Sequence, residues 1–266
     1  MSQHFSTYLK RISNTLLING GFLDNSGLFT GEMGLVLFFF RYGRYTQNEL
    51  YKEYAFKLIE KIQNSIPVEL PISYQQGATG IGSTVEYLIQ NGYFEGDSDD
   101  MLGAFDDRLF SPQNLPRWSK DEIVSLAYYA VWRMSGNSSK KEVLRKTLLP
   151  EIAAIMEGWS KSQEFTCPII DVLKDIFISG DNVDAANLQR PSLHPLFCND
   201  NPFISRLQNS DQLMERISKD DFFKSNKPDF GFPDGLAATG MELITMLDGD
   251  TSWTSLFPNC FNPVTK

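Results

Sequence analysis

The carboxylates with the most chemistry to offer fall at glycine clusters or on apolar stretches. Glu32 lies inside Gly27-Leu28-Phe29-Thr30-Gly31-Glu32-Met33-Gly34, and Asp229 and Asp234 flank Gly231-Phe232-Pro233. Asp121 and Glu122 open an apolar stretch, and Glu86 and Glu242 lie within two others. Two carboxyl groups flanking a glycosidic bond, one of them protonated, are what sugar hydrolysis requires. Electrostatics offers a competing reading for Asp121, Glu122 and Asp234: acidic groups at a helix start favour its dipole, and Asp caps its amides. Glu86 and Glu242 are harder to place on a surface, since a carboxylate on a buried face must be paired or meet water.

Cysteine and histidine offer a second chemistry. Cys167, His194 and Cys198 are the residue types of a zinc site, with His194 and Cys198 four apart. Pro195 disfavours a regular helix across that spacing, and neither cysteine adjoins a glycine-led helix start. A free buried cysteine behaves as a small hydrophobe. The expectation is therefore core cysteines, with no metal and no cofactor. Cys167, Cys198 and Cys260 are odd in number and widely spaced, which speaks against a disulfide framework and for a reducing, cytoplasmic location.

The elements that must position these groups read as helices. Phe5, Tyr8, Leu9, Ile12 and Leu16 step at three and four, as do Tyr51, Tyr54, Ala55, Leu58, Ile59 and Ile62. Ile123 to Met134 forms a third face, opened by Ser119 with Glu122 three residues on, the spacing of a capping box. Val143 to Met156 and Ile169 to Ile178 supply two more, and Pro150 should bend or divide the first of them. Turns are expected at Gly92 to Asp97, Ser111 to Pro116 and Ser135 to Ser139, with Ser98-Asp99-Asp100 capping the helix after the first. Ser179 to Pro202 reads as a long loop. No stretch alternates with period two for long enough to need a strand, so the expected class is all-α in a single domain spanning 1–266.

Apolar residues make up 42% of the chain, with twenty Phe and ten Tyr, which is ample for a packed core. The aromatic run Phe38, Phe39, Phe40, Tyr42 and Tyr45 reads as core filling rather than a stacking platform. The net charge of −9 repels phosphate backbones and excludes nucleic acid as an expected partner. The same charge steers a cationic peptide or basic protein favourably. The apolar run Leu35 to Phe40 is far short of the roughly twenty residues that span a bilayer, so no membrane insertion is expected.

A glycine-rich motif recurs. Gly27 to Gly34 runs into Leu35-Val36-Leu37-Phe38-Phe39-Phe40, Gly77-Ala78-Thr79-Gly80-Ile81-Gly82 into Val85-Glu86-Tyr87-Leu88-Ile89, and Gly235-Leu236-Ala237-Ala238-Thr239-Gly240 into Met241 to Leu247. Glycine costs about 1 kcal/mol in a helix relative to alanine, so several at a helix start need a reason, such as backbones closer than a Cβ permits. A helix apolar all round is buried all round. The pattern resembles the lanthionine synthetase C-like family, whose inner helices open with Gly-Leu-x-x-Gly-x-x-Gly or Gly-Leu-Ala-Gly-Ile-Gly. The resemblance covers the first hundred residues well and the last forty in part. It implies an α/α toroid, here shortened, with glycine-led helices inside and their starts around a shared hollow. Glu32, Glu86, Asp121, Glu122, Asp229, Phe232 and Asp234 would then contact substrate at the mouth, with Asp229 to Asp234 as a surface loop. The family's cyclases hold zinc in a Trp-Cys-Tyr-Gly-like segment and a later Cys-His-Gly. This chain has neither, and its histidines are only His4 and His194. The resemblance therefore implies a zinc-free accessory or peptide-binding component in the modification of a ribosomally made peptide. A carbohydrate-active toroid and a structural interaction module remain the alternatives.

Overall fold

The computed structural model describes residues 2–65, 70–161, 167, 169–178, 201–209, 213, 215, 217, 229–232 and 234–258. Among these there is no strand, and the fold is all-α as the periodicity predicts. The helices are α1 (Ser2–Asn19), α2 (Glu32–Thr46), α3 (Glu49–Ser65), α4 (Ala78–Gln90), α5 (Ser98–Leu109), α6 (Lys120–Ser135), α7 (Lys141–Val143), α8 (Leu149–Lys161), α9 (Ile169–Ile178), α10 (Pro202–Gln208) and α11 (Leu236–Asp248).

Two kinds of helix follow from two kinds of sequence. In α1, α3, α5 and α8 one stripe is buried, apolar in α3 with Ala55, Leu58, Ile59 and Ile62, and in α5 made of Leu102 and Leu109 with the polar Ser98 and Asp106. In α2, α4, α6 and α11 nearly every residue is buried: Glu32 to Gly43, Ala78 to Leu88, Ile123 to Met134 and Leu236 to Thr245. The three glycine-led helices are all of this second kind.

Local signals set the ends. Ser119 and Glu122 form the expected capping box at α6. The Pro150 stretch is helical without a gap, and its irregularity is a π-turn over Leu144–Leu148 that runs directly into α8 just before Pro150. Gly249 closes α11 at φ 78°, a conformation unstrained only for glycine. Three expectations need correction. Asp97 rather than Ser98 to Asp100 caps α5, its carboxylate accepting from the Asp99 amide. Gly235, not Asp234, occupies the N-cap of α11. Ser111 to Pro116 is mostly a 3₁₀ helix, Pro112–Arg117. The loop read over 179–202 lies outside the described residues except for Asn201 and Pro202, where Asn201 caps α10 by accepting from the Phe203 amide at 2.9 Å.

The chain divides into two compact units. The first holds 1–71, 75–77 and 200–266, and so draws on both ends of the sequence. The second holds 72–74 and 78–199. In the first, α2 packs on α3 and α11, and α11 also on α1 and α10. Its core includes Phe38, Phe39 and Phe40, all fully buried, and Tyr42, nearly so. Phe39 meets Tyr54 edge-on at 4.8 Å, and Tyr42 meets Tyr51 at 4.6 Å, so Phe38, Phe39, Phe40 and Tyr42 fill space as expected, whereas Tyr45 is only half-buried. In the second unit α4 packs on α5 and α6, and α6 on α8 and α9.

Candidate functional site

The turns leading into α2 and α11 are built alike. Asn25 accepts from the Gly27 amide through Oδ1 at 3.1 Å, and its carbonyl accepts from the Glu32 amide at 3.0 Å. Asp229 accepts from the Gly231 amide through Oδ1 at 2.9 Å, and its carbonyl accepts from the Leu236 amide at 2.8 Å. A short acceptor side chain two residues before a free amide suits such a turn. Gly31 and Gly235 hold equivalent places: a Cβ on Gly31 would strike Asn25 and the Gly27 nitrogen, and one on Gly235 would lie 2.7 Å from the Asp229 oxygen and the Gly231 nitrogen. Both have extended backbones, with φ −117° and −81°, so the glycine is needed for space rather than conformation.

These turns also touch one another. A Cβ on Gly231 would collide with the Phe29 and Thr30 backbone, and one on Gly27 would lie 2.5 Å from Cα of Gln76. The Phe232 amide donates to the Phe29 carbonyl at 2.5 Å, and the Phe29 amide donates to the Gln75 carbonyl at 3.0 Å. The segment before α11 is thus hydrogen-bonded to that before α2, which is hydrogen-bonded to Gln75, two residues before Gly77. Deeper in the helices, a Cβ on Gly240 would strike the Phe38 ring of α2, and one on Gly34 would lie 2.6 Å from the Leu28 carbonyl oxygen and 3.2 Å from the Phe232 ring. In the second unit a Cβ on Gly82 would strike the Tyr129 ring of α6. Gly80, in the first turn of α4, lends its carbonyl to Thr84 Oγ1 at 2.8 Å.

The carboxylates named from sequence separate into two groups. Glu32, in the first turn of α2, is buried and ion-paired to Lys61 of α3, whose ammonium also donates to the Gly21 carbonyl at 2.9 Å. Glu242 is buried in α11, 3.3 Å from Nε of Arg206. Arg206 also pairs with Asp234 at 2.8 Å and lies over the Phe203 ring. Asp229 and Asp234 are exposed beside the helix start. Glu122 is consumed by the capping box, accepting from Ser119 N and Oγ at 2.8 Å, and Asp121 is exposed beside it. Phe232 is not a surface residue. Its ring stacks on Phe257 at 4.3 Å and meets Phe203 and Trp253 in a buried aromatic cluster, because the hydrogen bond to Phe29 turns it inward.

Glu86 belongs to a cluster that the sequence pattern does not reveal directly. Arg133 of α6 is fully buried and donates to Glu86 of α4 at 2.6 Å, to Ser98 Oγ at 2.8 Å, to Asp106 of α5 at 2.7 and 3.1 Å, and to Asp99. Tyr129 donates to Asp106 at 2.6 Å. Burial pushes the Asp106 carboxyl up despite the arginine. Burial would also raise Asp99, yet bonds from Ser139, Ser138 and Arg133 together outweigh it and hold this group at about 2. Burial opposes the Arg133 charge, but Asp106 and Glu86 keep it above the usual arginine value. A Cβ on Gly136, at the end of α6, would collide with the Glu86 carboxylate. One signal in the sequence does point to this cluster: a lone arginine in a helix otherwise apolar all round must find carboxylates inside the protein. Arg41 of α2 obeys the same rule, pairing with Asp248 at 3.1 Å and with Asp250 beyond the end of α11.

Cys167 is buried with its sulfur 3.8 Å from the Tyr128 hydroxyl, as a core cysteine would be. Among the described residues no three of His, Cys, Asp and Glu are grouped to hold a metal; His194 and Cys198 lie outside those residues. No helix among the described residues is long and apolar enough to cross a membrane. Compared with family models, curated proteins and solved structures, the chain matches none.

Proposed function

We propose that this chain is a zinc-free relative of the lanthionine synthetase C-like proteins that binds a peptide during modification of a ribosomally made precursor. In this reading the glycine-led helices form the inner layer of a shortened α/α toroid. The observation that supports it most is the recurrence of one turn, Asn25-x-Gly27-x-x-x-Gly31 and Asp229-x-Gly231-x-x-x-Gly235, with the two copies hydrogen-bonded to each other. Like units that join only to their neighbours are how helical repeats build a continuous inner surface. A net charge of −9, with Asp229 and Asp234 exposed beside one such turn, favours a basic stretch of peptide.

The test is titration calorimetry of the purified chain against basic leader and precursor peptides. Binding that weakens with salt, and weakens further in Asp229→Asn/Asp234→Asn, is the expected result. Asparagine keeps the turn acceptor at position 229, as Asn25 does in the other copy, and at position 234 the change loosens only the exposed ion pair with Arg206. Uniform absence of binding removes the support. Zinc analysis is a separate readout, and one equivalent of bound metal overturns the zinc-free assignment.

A further inference from the structure

The turn and helix that begin at Asp229 carry acids where those that begin at Asn25 are neutral. Counted from Gly235 and Gly31, Asp229 stands for Asn25, Asp234 for Thr30 and Glu242 for Phe38. Counted from Gly77, the residues in step with Thr30 and Phe38 are Gln76 and Thr84, again neutral. Asn25 makes the same turn bond as Asp229, and Phe38 and Thr84 are buried as Glu242 is, so neither the turn nor the helix requires a carboxylate at these places. A buried ion pair is often no more stabilising than apolar side chains of the same volume.

Arg206 of α10 lies among these acids. Its Nε is 3.3 Å from Glu242 and its Nη1 2.8 Å from Asp234, and its guanidinium carbon is 4.7 Å from the centre of the Phe203 ring. Carboxylates and an aromatic face are the partners a guanidinium prefers. This contact differs from the other buried arginine pairs: Arg133 and Arg41 are sealed, at 0% and 2% exposed, whereas Arg206 keeps 19% and Asp234 64%. The helix is anchored elsewhere. Asn201 donates to the Thr254 and Phe257 carbonyls at 3.0 and 3.1 Å, and Phe203 packs against Trp253 and Phe257. The arginine side chain can therefore turn out to water while α10 stays in place.

We propose that Arg206 is an internal competitor, seated where an arginine of the bound peptide would otherwise lie. This rests on the peptide-binding reading above and adds to it a residue preference and a restraint. The incoming guanidinium takes over the contacts with Asp234, Glu242 and the Phe203 ring, and Arg206 moves out to solvent. A cation stays beside Glu242 before and after the exchange, so the buried carboxylate is not stranded. Lysine is a poorer replacement, because a point charge lacks the planar fork that meets carboxylates in two directions and lies flat on a ring. The restraint lowers the apparent affinity by the fraction of molecules in which Arg206 has vacated the site.

The experiment is titration calorimetry of the full chain with a short alternating alanine–arginine peptide and with its alanine–lysine counterpart. The arginine peptide should bind about tenfold more tightly. Arg206→Gln should raise the affinity for that peptide about tenfold, a usual size for coupling within one protein. Lys10→Gln removes the same charge from an exposed position on α1 and should change the affinity by about twofold or less. If circular dichroism shows that Arg206→Gln has lost its fold, Arg206→Lys takes its place, with a gain in the same direction expected. Equal affinity for the two peptides overturns the proposal and leaves the peptide-binding reading standing. So does an Arg206 variant that gains no more than Lys10→Gln. Binding of neither peptide removes that reading, and this inference with it.

Discussion

In the first unit the segments before α2 and α11 meet through main-chain atoms, Phe232 to Phe29 and Phe29 to Gln75, whereas in the second α4, α5 and α6 converge on the Arg133 guanidinium. Both solve the same problem, the joining of a helix buried on nearly every side to its neighbours. The backbone solution works by having no side chain, so its weakness is any added atom. The ionic solution works by complete pairing, so its weakness is any lost partner. Two kinds of variant should therefore damage the two units in opposite ways.

The largest effect is expected from Arg133→Met, which strands Glu86 and Asp106 in the interior. Removing one side of a buried ion cluster costs about 3–5 kcal/mol, measurable as a fall in the urea midpoint. Adding Glu86→Gln and Asp106→Asn to that variant should recover part of the loss; no recovery would show that packing, not charge, binds these helices. Next come Gly31→Ala and Gly231→Ala, each expected to cost about 1–3 kcal/mol by overpacking, because the new methyl meets backbone that cannot rotate away. A neutral result at both positions would dissolve the contrast between the units.

Acid sharpens the comparison further. The Asp99 carboxyl is depressed to about 2 in the fold, so its contribution is complete above the ordinary aspartate value near 4 and is lost as pH falls from there towards 2. Asp106 is raised and acts in the opposite sense, gaining as pH falls towards the ordinary aspartate value and so above the range in which Asp99 loses. The loss between pH 4 and 2 from Asp99 should be about 1–2 kcal/mol, kept below the full shift by solvent, and Asp99→Asn should flatten that part of the stability curve. A smaller cost, about 0.5–1.5 kcal/mol, is expected from Asn25→Ala or Asp229→Ala through loss of the acceptor for the glycine amide, with Asn25 also losing its long bond to the Thr30 carbonyl. The sign reverses at Gly103 of α5 and Gly158 of α8, where a Cβ would meet nothing within 4 Å. Alanine there should stabilise by about 0.5–1 kcal/mol, visible as a rise in Tm.

The features legible in the sequence are local. The Ser119–Glu122 capping box, the irregular turn just before Pro150 and the three glycine-led buried helices depend on neighbours a few residues apart. The Arg133 cluster draws residues from three helices, and no spacing rule connects positions 86, 99, 106 and 133. Phe232 escapes for a related reason: a Gly/Pro loop with aromatics reads as surface, and its inward turn depends on a hydrogen bond to Phe29, about 200 residues earlier. The third glycine motif reads from Gly235 onward, although Asp229-x-Gly231 already repeats Asn25-x-Gly27. The repeated turn becomes evident only when the same hydrogen bonds appear at both places.

The first unit is assembled from the two ends of the chain, and this sets an order of events during synthesis. The helices α4 to α9 of the second unit lie in one near-continuous stretch that can complete its contacts as soon as it has emerged. The segment 25–32 must wait for Gly231 and Phe232, which at about 5–20 residues per second arrive on the order of ten seconds or more after Gly77. During that interval the apolar faces of α1 and α2 that receive α11 have no partner in the nascent chain, and they are the surfaces a chaperone would meet first.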